Sequence, residues 1–249
     1  RIYVNGLEVA ERTDPPITIL DSDAPLMLGV VNPSATPGNE WYLSGSLDEV
    51  SFYNRALSAM EVQALYNAGS LGKCSLSWSP PPSGLVSWWR CEGTADDSGP
   101  AGNTGTLSGS YSFISGEVDQ GISLASKPAG FSVGDNASLN FGPGADFSIE
   151  GWIQPQTANT DYGVEDIVDK MNATDSQLYN LAGYELATVN GQLDFSMVGG
   201  TGSPRPGLNA GPDLRDGRWH HVAVSIQRAS ASGGNLYVDG VLVGTFDPT

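Results

Sequence analysis

At 249 residues and 39% hydrophobic content, the chain can bury the core of one large β domain or two small ones. Its formal charge of −17, from 28 acidic against 11 basic residues, makes nucleic acid and anionic membrane surfaces poor partners. With 32 Gly and 16 Pro between short runs of Val, Ile, Tyr, Phe and Trp, the composition predicts an all-β sandwich rather than helices or βαβ units.

The chain opens on Ile2-Tyr3-Val4-Asn5-Gly6-Leu7-Glu8-Val9, in which Asn-Gly supplies the positive φ angles of a tight hairpin turn. Nearly the same string returns at the other end as Leu236-Tyr237-Val238-Asp239-Gly240-Val241-Leu242-Val243, and both copies then reach Asp-Pro, at Asp14-Pro15 and Asp247-Pro248. This repetition marks a piece of a tandem repeat cut at equivalent points of two units. Residues 26–31 are a short apolar run, residues 32–39 a Pro/Gly/Ser-type loop, and residues 47–53 a strand of mixed alternation. A helix follows: Ser58-Ala59-Met60-Glu61 is a capping box, Leu57, Val62, Leu65 and Tyr66 form one apolar stripe, and Gly69 is placed for the C-terminal cap.

Residues 70–83 read as a linker stiffened by Pro80-Pro81-Pro82. A new unit then begins with the strand Gly84-Leu85-Val86-Ser87-Trp88-Trp89-Arg90-Cys91, followed by a loop of small and acidic residues to Gly105. Further strands are expected at residues 121–124, 147–153, 166–170, 179–186, 192–197, 219–226 and 235–243. No apolar run approaches the ~18 residues of a membrane-spanning helix. The two cysteines, Cys74 and Cys91, lack the neighbours of a metal site and the spacing of a redox pair. They fit a disulfide, worth on the order of 3 kcal/mol, or two separate buried thiols.

Taken together, these pieces resemble the laminin-G-like (concanavalin A-like lectin/glucanase) jelly-roll domains of bacterial secreted proteins. Leu85-Val86-Ser87-Trp88-Trp89-Arg90-Cys91-Glu92-Gly93 looks like the family's opening strand. Asp97-Ser98-Gly99 with Asn103-Thr104-Gly105-Thr106-Leu107 looks like its glycine-rich loop. Phe147-Ser148-Ile149-Glu150-Gly151-Trp152-Ile153 resembles its central strand, and Trp219-His220-His221-Val222-Ala223-Val224 with Leu236-Tyr237-Val238-Asp239-Gly240 the following pair. Gly45-Ser46-Leu47-Asp48-Glu49-Val50 and Asn54-Arg55-Ala56-Leu57-Ser58 resemble the closing strand and helix.

The closing elements precede the opening ones. Read linearly, residues 1–73 are the C-terminal part of one such domain, 74–83 a Pro-rich linker and 84–249 the N-terminal part of the next. One whole domain can be assembled from 84–249 followed by roughly 17–70, with closure supplied by a neighbouring chain, the same chain, or further residues. The resemblance implies a non-enzymatic extracellular module of a repeat-containing surface, adhesive or filament-forming protein, whose partners are neighbouring copies joined head to tail. The alternative is a carbohydrate-binding, lectin-like module accessory to a secreted glycoside-active enzyme.

The same resemblance implies one structural Ca²⁺ beside the opening and closing strands, with Asp48 and Glu92 as ligands and Asp97 and Asn103 as further candidates; otherwise these carboxylates cap backbone amides. A Cys74–Cys91 disulfide would tie the end of one unit to the opening strand of the next. His220 and His221, adjacent on a strand, point to opposite faces and cannot chelate one ion together, so packing roles are expected. Glycosidic cleavage needs paired carboxylates on one strand face, and Glu165-Asp166-Ile167-Val168-Asp169 breaks that alternation, so no enzyme is expected. Trp41, Tyr42, Trp152, Tyr162 and Tyr184 are the aromatic candidates for stacking on a sugar, with core packing as the competing role of each.

Overall fold

The structure, a computed structural model, describes residues 2–4, 7–10, 23–30, 42–73, 82–142, 144–156, 163–173, 181–199 and 205–249. Each strong alternating run forms a strand, and every strand pair is antiparallel. In chain order the strands are β1 (Ile2–Val4), β2 (Leu7–Ala10), β3 (Leu26–Leu28), β4 (Gly45–Tyr53), β5 (Leu85–Trp89), β6 (Gly105–Ser115), β7 (Gln120–Val133) and β8 (Phe147–Pro155). They continue as β9 (Val164–Asp169), β10 (Asn172–Ala173), β11 (Leu181–Val189), β12 (Gln192–Gly199), β13 (Gly207–Ala210), β14 (His220–Ile226), β15 (Gly234–Val238) and β16 (Val241–Phe246).

Except for β1 and β2, the strands share one hydrogen-bonded path that doubles back at the long strand β7. Ser123 and Ile122 of β7 pair with β4, while Phe131–Val133 pair with β3. One layer runs β13-β12-β11-β9-β3 and the other β4-β8-β14-β15-β16, with β5 beside β4. Rings meet across the gap: Phe52 lies 6.3 Å from Tyr184, and Phe147 lies 6.2 Å from Phe195, between centroids. The result is the expected all-β sandwich, with Ile149, Ile153, Val222, Val224 and Leu236 lining its core from one side and Val168, Leu186, Leu193 and Met197 from the other.

Among the described residues the one α-helix, α1 (Ala59–Ala68), starts and stops where the sequence places it. Ser58 Oγ accepts from the Glu61 amide and Glu61 Oε2 accepts from the Ser58 amide at 2.9 Å, which completes the capping box. Arg55 clamps the same carboxylate and holds it down to about 2. Leu57 and Val62 then pack on Tyr53, Ala223 and Tyr237, laying the helix over the outer face of the β4–β8–β14–β15 layer. Ser58→Ala removes one half of this box and is expected to cost about 1 kcal/mol in a urea melt.

Three elements differ from those expected. Residues 105–115, of which the sequence assigned only the first few, to the glycine-rich loop, form β6, most of which is exposed. Residues 207–210 add the edge strand β13. The expected single strand 235–243 turns at Asp239-Gly240 into a hairpin, and β1 likewise pairs antiparallel with β2 at the other end. The closing strand is seated by its own chain: β4 lies between β5 and β8, pairing Val50 with Trp89 and Phe52 with Ile149. Opening and closing strands are therefore side by side, and 23–73 and 84–249 build one sandwich here.

Candidate cation site and the adjoining cleft

The site begins with a bulge. Between Asp48, opposite Trp152, and Ser51, opposite Glu150, β4 slips its register on β8, and Glu49 takes a φ of 57°. A bulge breaks the two-residue alternation, so Asp48 and Glu49 are both buried. This is the physical origin of the mixed pattern at residues 47–53.

Glu49 enters a closed ionic network. Lys73 Nζ sits 3.1 Å from Glu49 Oε2 and 3.1 Å from Glu150 Oε1, donates to the Glu49 carbonyl at 2.9 Å, and lies 5.3 Å from the Trp88 ring centre. Trp88 Nε1 donates to Glu49 Oε2, and His221 Nε2 meets Glu150 Oε2 at 3.0 Å. Burial works against the Lys73 ammonium, but Glu150 and Glu49 hold it above its ordinary value. Against the same burial, Lys73 and His221 keep Glu150 below the usual carboxylate range. Sequence reasoning missed this network; Lys73 lies within residues 70–83, read as linker, and the fold uses it as an anchor.

Asp48 and Glu92 meet around one turn. Asp48 Oδ2 accepts from the Val118 amide at 2.9 Å and Glu92 Oε2 from the Gln120 amide at 3.2 Å, so both carboxylates grip residues 116–120. Their other oxygens, Asp48 Oδ1 and Glu92 Oε1, are buried without a hydrogen-bond partner; Arg90 approaches the latter only to 4.0 Å. Burial, with Glu49 and Glu92 nearby, pushes Asp48 up to about 8, and burial also raises Glu92. Two orphaned carboxylate oxygens suit a hard cation that takes oxygen ligands.

Asp97 and Asn103 do not join them. Asp97 accepts from the amides of Trp88, Gly99 and Asn103 at 2.7 Å each, fastening the glycine-rich loop to β5. Gly99 is required there, because a Cβ would stand 2.6 Å from Ser87 Cα and 2.7 Å from the Val86 carbonyl. Asn103 Nδ2 donates to Ser87 and Ser138, and its carbonyl accepts from Trp89 Nε1. The four candidates thus divide into Asp48 and Glu92, each with a buried oxygen lacking a hydrogen bond, and Asp97 and Asn103, which fasten the glycine-rich loop. Among the described residues, no three or more His, Cys, Asp or Glu side chains converge as metal ligands.

Cys91 is a buried free thiol whose pKa burial raises; Cys74, its expected partner, lies outside the described residues, as do Trp41 and Tyr162. The remaining aromatic candidates are buried. Tyr42 packs on Met27 and Val30, and Tyr184 donates its hydroxyl to the Leu139 carbonyl inside the core. Trp152 packs against Tyr66, tilted at 5.8 Å, and His221, edge-on at 5.3 Å.

Trp152 does, however, floor a cleft of ≈ 520 Å³ at the C-terminal end of α1, walled by Tyr66, Trp219, Glu117, Asp216, His220 and Asp239. The two histidines diverge as strand geometry requires. His221 is buried beneath α1, whereas His220 opens on the cleft with Asp239 and Asp216 each 3.0 Å from a ring nitrogen. Asp239 first, and Asp216 behind it, raise His220 above its ordinary value against its partial burial. Glu117 of the cleft belongs to the turn that Asp48 and Glu92 grip, so cation pair and cleft share one wall.

On the opposite layer a β9–β11 register slip, between Leu186/Ala187 and Asp166/Val168, sets Asp166 near Glu185 despite the broken sequence alternation. Burial first and the Glu185 carboxylate second hold Asp166 well above its usual range, while Arg205 Nη2 engages Glu185 at 2.9 Å.

The family model of the concanavalin A-like lectin/glucanases superfamily matches residues 1–63 and 128–249, well over half of the chain. The chain belongs to this superfamily. No curated protein matches it in sequence. Laminin-G-like members of the superfamily are typically non-catalytic, carbohydrate-binding and extracellular. Among the described residues, no helix is long and apolar enough to cross a membrane.

Proposed function

We propose that this superfamily domain is a non-catalytic extracellular module, stabilised by calcium, of an adhesive or structural surface protein. The observation that supports the reading is the pair of buried, partnerless oxygens on Asp48 and Glu92. Burial leaves such a carboxylate either protonated, as Asp48 is without a cation, or in need of a counter-charge, and Arg90 comes no nearer to Glu92 Oε1 than 4.0 Å. Calcium, when bound, supplies that charge and draws six to eight oxygens. Asp48 and Glu92 would hold it, with backbone oxygens of the 116–120 turn and the Gln120 side chain completing the set. Their role is to fix that turn against β4 and β5, which locks the opening strand to the closing one.

A melt in millimolar Ca²⁺ against excess chelator tests this. Saturation at about a hundredfold over Kd stabilises by about 2.7 kcal/mol, which corresponds to roughly 5–10 °C in a domain of this size. Superimposable melts sink the calcium reading. The ≈ 520 Å³ cleft favours the second, lectin-like reading, because Trp219 and Tyr66 offer faces to a sugar ring and Glu117, Asp216 and Asp239 offer hydroxyl acceptors. Glycan-array binding abolished by Trp219→Ala would support it.

A further inference from the structure

We propose that residues 2–10 are a second, docking copy of the β15–β16 hairpin, shaped to add onto the β14 edge of another unit of this same fold. All three pairings of the first hairpin recur in the second at one constant offset. Ile2 faces Ala10 as Leu236 faces Gly244, Tyr3 faces Glu8 as Tyr237 faces Leu242, and Val4 faces Leu7 as Val238 faces Val241. The register slip falls between the same two residues of each, Ile2/Tyr3 and Leu236/Tyr237. An Asn-Gly or Asp-Gly turn alone makes a hairpin common; a bulge at the same step makes these two copies of one device.

The occupied seat shows what such a hairpin must supply. Leu236 and Val238 enter the core beside Val222 and Val224, and Tyr237 turns to the other face, beneath Leu57 and Val62. Ile2, Tyr3 and Val4 offer the same shapes in the same order. At the turn, a Cβ on Gly240 would stand 2.9 Å from Tyr66, and Gly6 preserves that clearance. Asp239 Oδ1 accepts from the His221 amide; Asn5 retains an acceptor oxygen at that position while losing the charge that faces His220.

Yet β1 and β2 pair only with each other among the described residues. The chain holds one strand of β14 type, and β15 already pairs with it from Val222–Val238 to Ile226–Gly234. The spare hairpin therefore fits a β14 edge on a second copy. Donor hairpin and acceptor edge are different segments of the chain, so the contact, where the seat is open, is heterologous and propagates head to tail. A short loop tethers β15 beside β14, so the local hairpin outcompetes the spare one until it is weakened. The inference is independent of the calcium reading.

The test is a mutant cycle in the full chain. Leu236→Asp with Tyr237→Asp unseats β15, and Ile2→Asp with Tyr3→Asp disables the spare copy. The β15 variant is expected to stay folded and to become oligomeric by light scattering, while the four-fold variant unfolds and the β1 variant remains like wild type. Val4→Cys with Val222→Cys, in a Cys74→Ala/Cys91→Ala background carrying the β15 changes, should then give an oxidised ladder of multimers, since Val238 stands opposite Val222. Equal loss of stability in the β15 and four-fold variants overturns the proposal. So does a folded monomer, which would seat the hairpin on its own chain.

Discussion

Lys73→Met is expected to destabilise the domain by about 3–5 kcal/mol, the usual cost of removing one partner from a buried ion pair. In a thermal melt that is a fall on the order of 10 °C for a chain of this size. The reason lies in what remains. Glu49 and Glu150 are each about 1% exposed in their side chains, and without the ammonium they face each other in a medium that solvates neither. Adding Glu49→Gln to Lys73→Met should recover part of the loss, because an amide can still accept from Trp88 Nε1 without carrying charge. If the single and double variants melt together, the network is not what holds residues 69–73 to the sheet.

The pH dependence of this network has two edges. Glu150 is depressed in the folded state, so its contribution is complete above the ordinary carboxylate value of 4.5 and is lost as pH falls through the lower folded value. Lys73 is raised, so its contribution is complete below 10.5 and is lost as pH rises through the higher folded value. Between about 4.5 and 10.5 the anchor is intact.

Asp48→Asn is the second large effect, and its sign is opposite. Unfolded, the Asp48 carboxyl loses its proton near 3.8; folded without a cation, it keeps it to about 8. Across that interval the folded chain holds the extra proton, so stability falls as pH rises. Asparagine removes that cost while its side-chain oxygen still accepts from the Val118 amide. In chelator at pH 8 the variant should melt higher than wild type by about 2 kcal/mol or more, a fraction of the full shift at 1.36 kcal/mol per unit. With calcium the order should invert, because the variant has lost a charged ligand. A variant that melts below wild type in chelator at pH 8 would show that Asp48 is ionised and stabilising by itself.

The elements most legible in the sequence depend on neighbours a few residues away. The capping box at Ser58–Glu61, the glycine after Ala68 and the Asn-Gly and Asp-Gly turns act through local hydrogen bonds and backbone angles, and α1 and both hairpins form there. The inward rows of β8 and β14 were equally plain, since Ile149, Ile153, Val222 and Val224 alternate with polar residues. Strand β6 was harder to see because Gly109 interrupts the row of Leu107, Tyr111 and Phe113 and most of the strand is exposed. At the candidate site, Asp48 and Glu92 were named from the family's motifs; of Asp97 and Asn103, drawn from the same motifs, Asp97 caps backbone amides and Asn103 bonds the Ser87 and Ser138 hydroxyls.

By itself, then, the sequence determined the all-β class, the helix with its caps, the divergence of His220 from His221, and the duplication of a hairpin at both ends. Tertiary structure alone decided the rest. Whether a carboxylate meets an ammonium, another carboxylate or a backbone amide depends on the register between strands distant in the chain. The bulge at Glu49 set that register for Asp48, Glu49 and Glu150, and the slip between β9 and β11 set it for Asp166 and Glu185. The seat of β4 was decided the same way: its residues fit between β5 and β8 whichever molecule supplies them, and pairing within the chain was the outcome only the assembled sandwich shows.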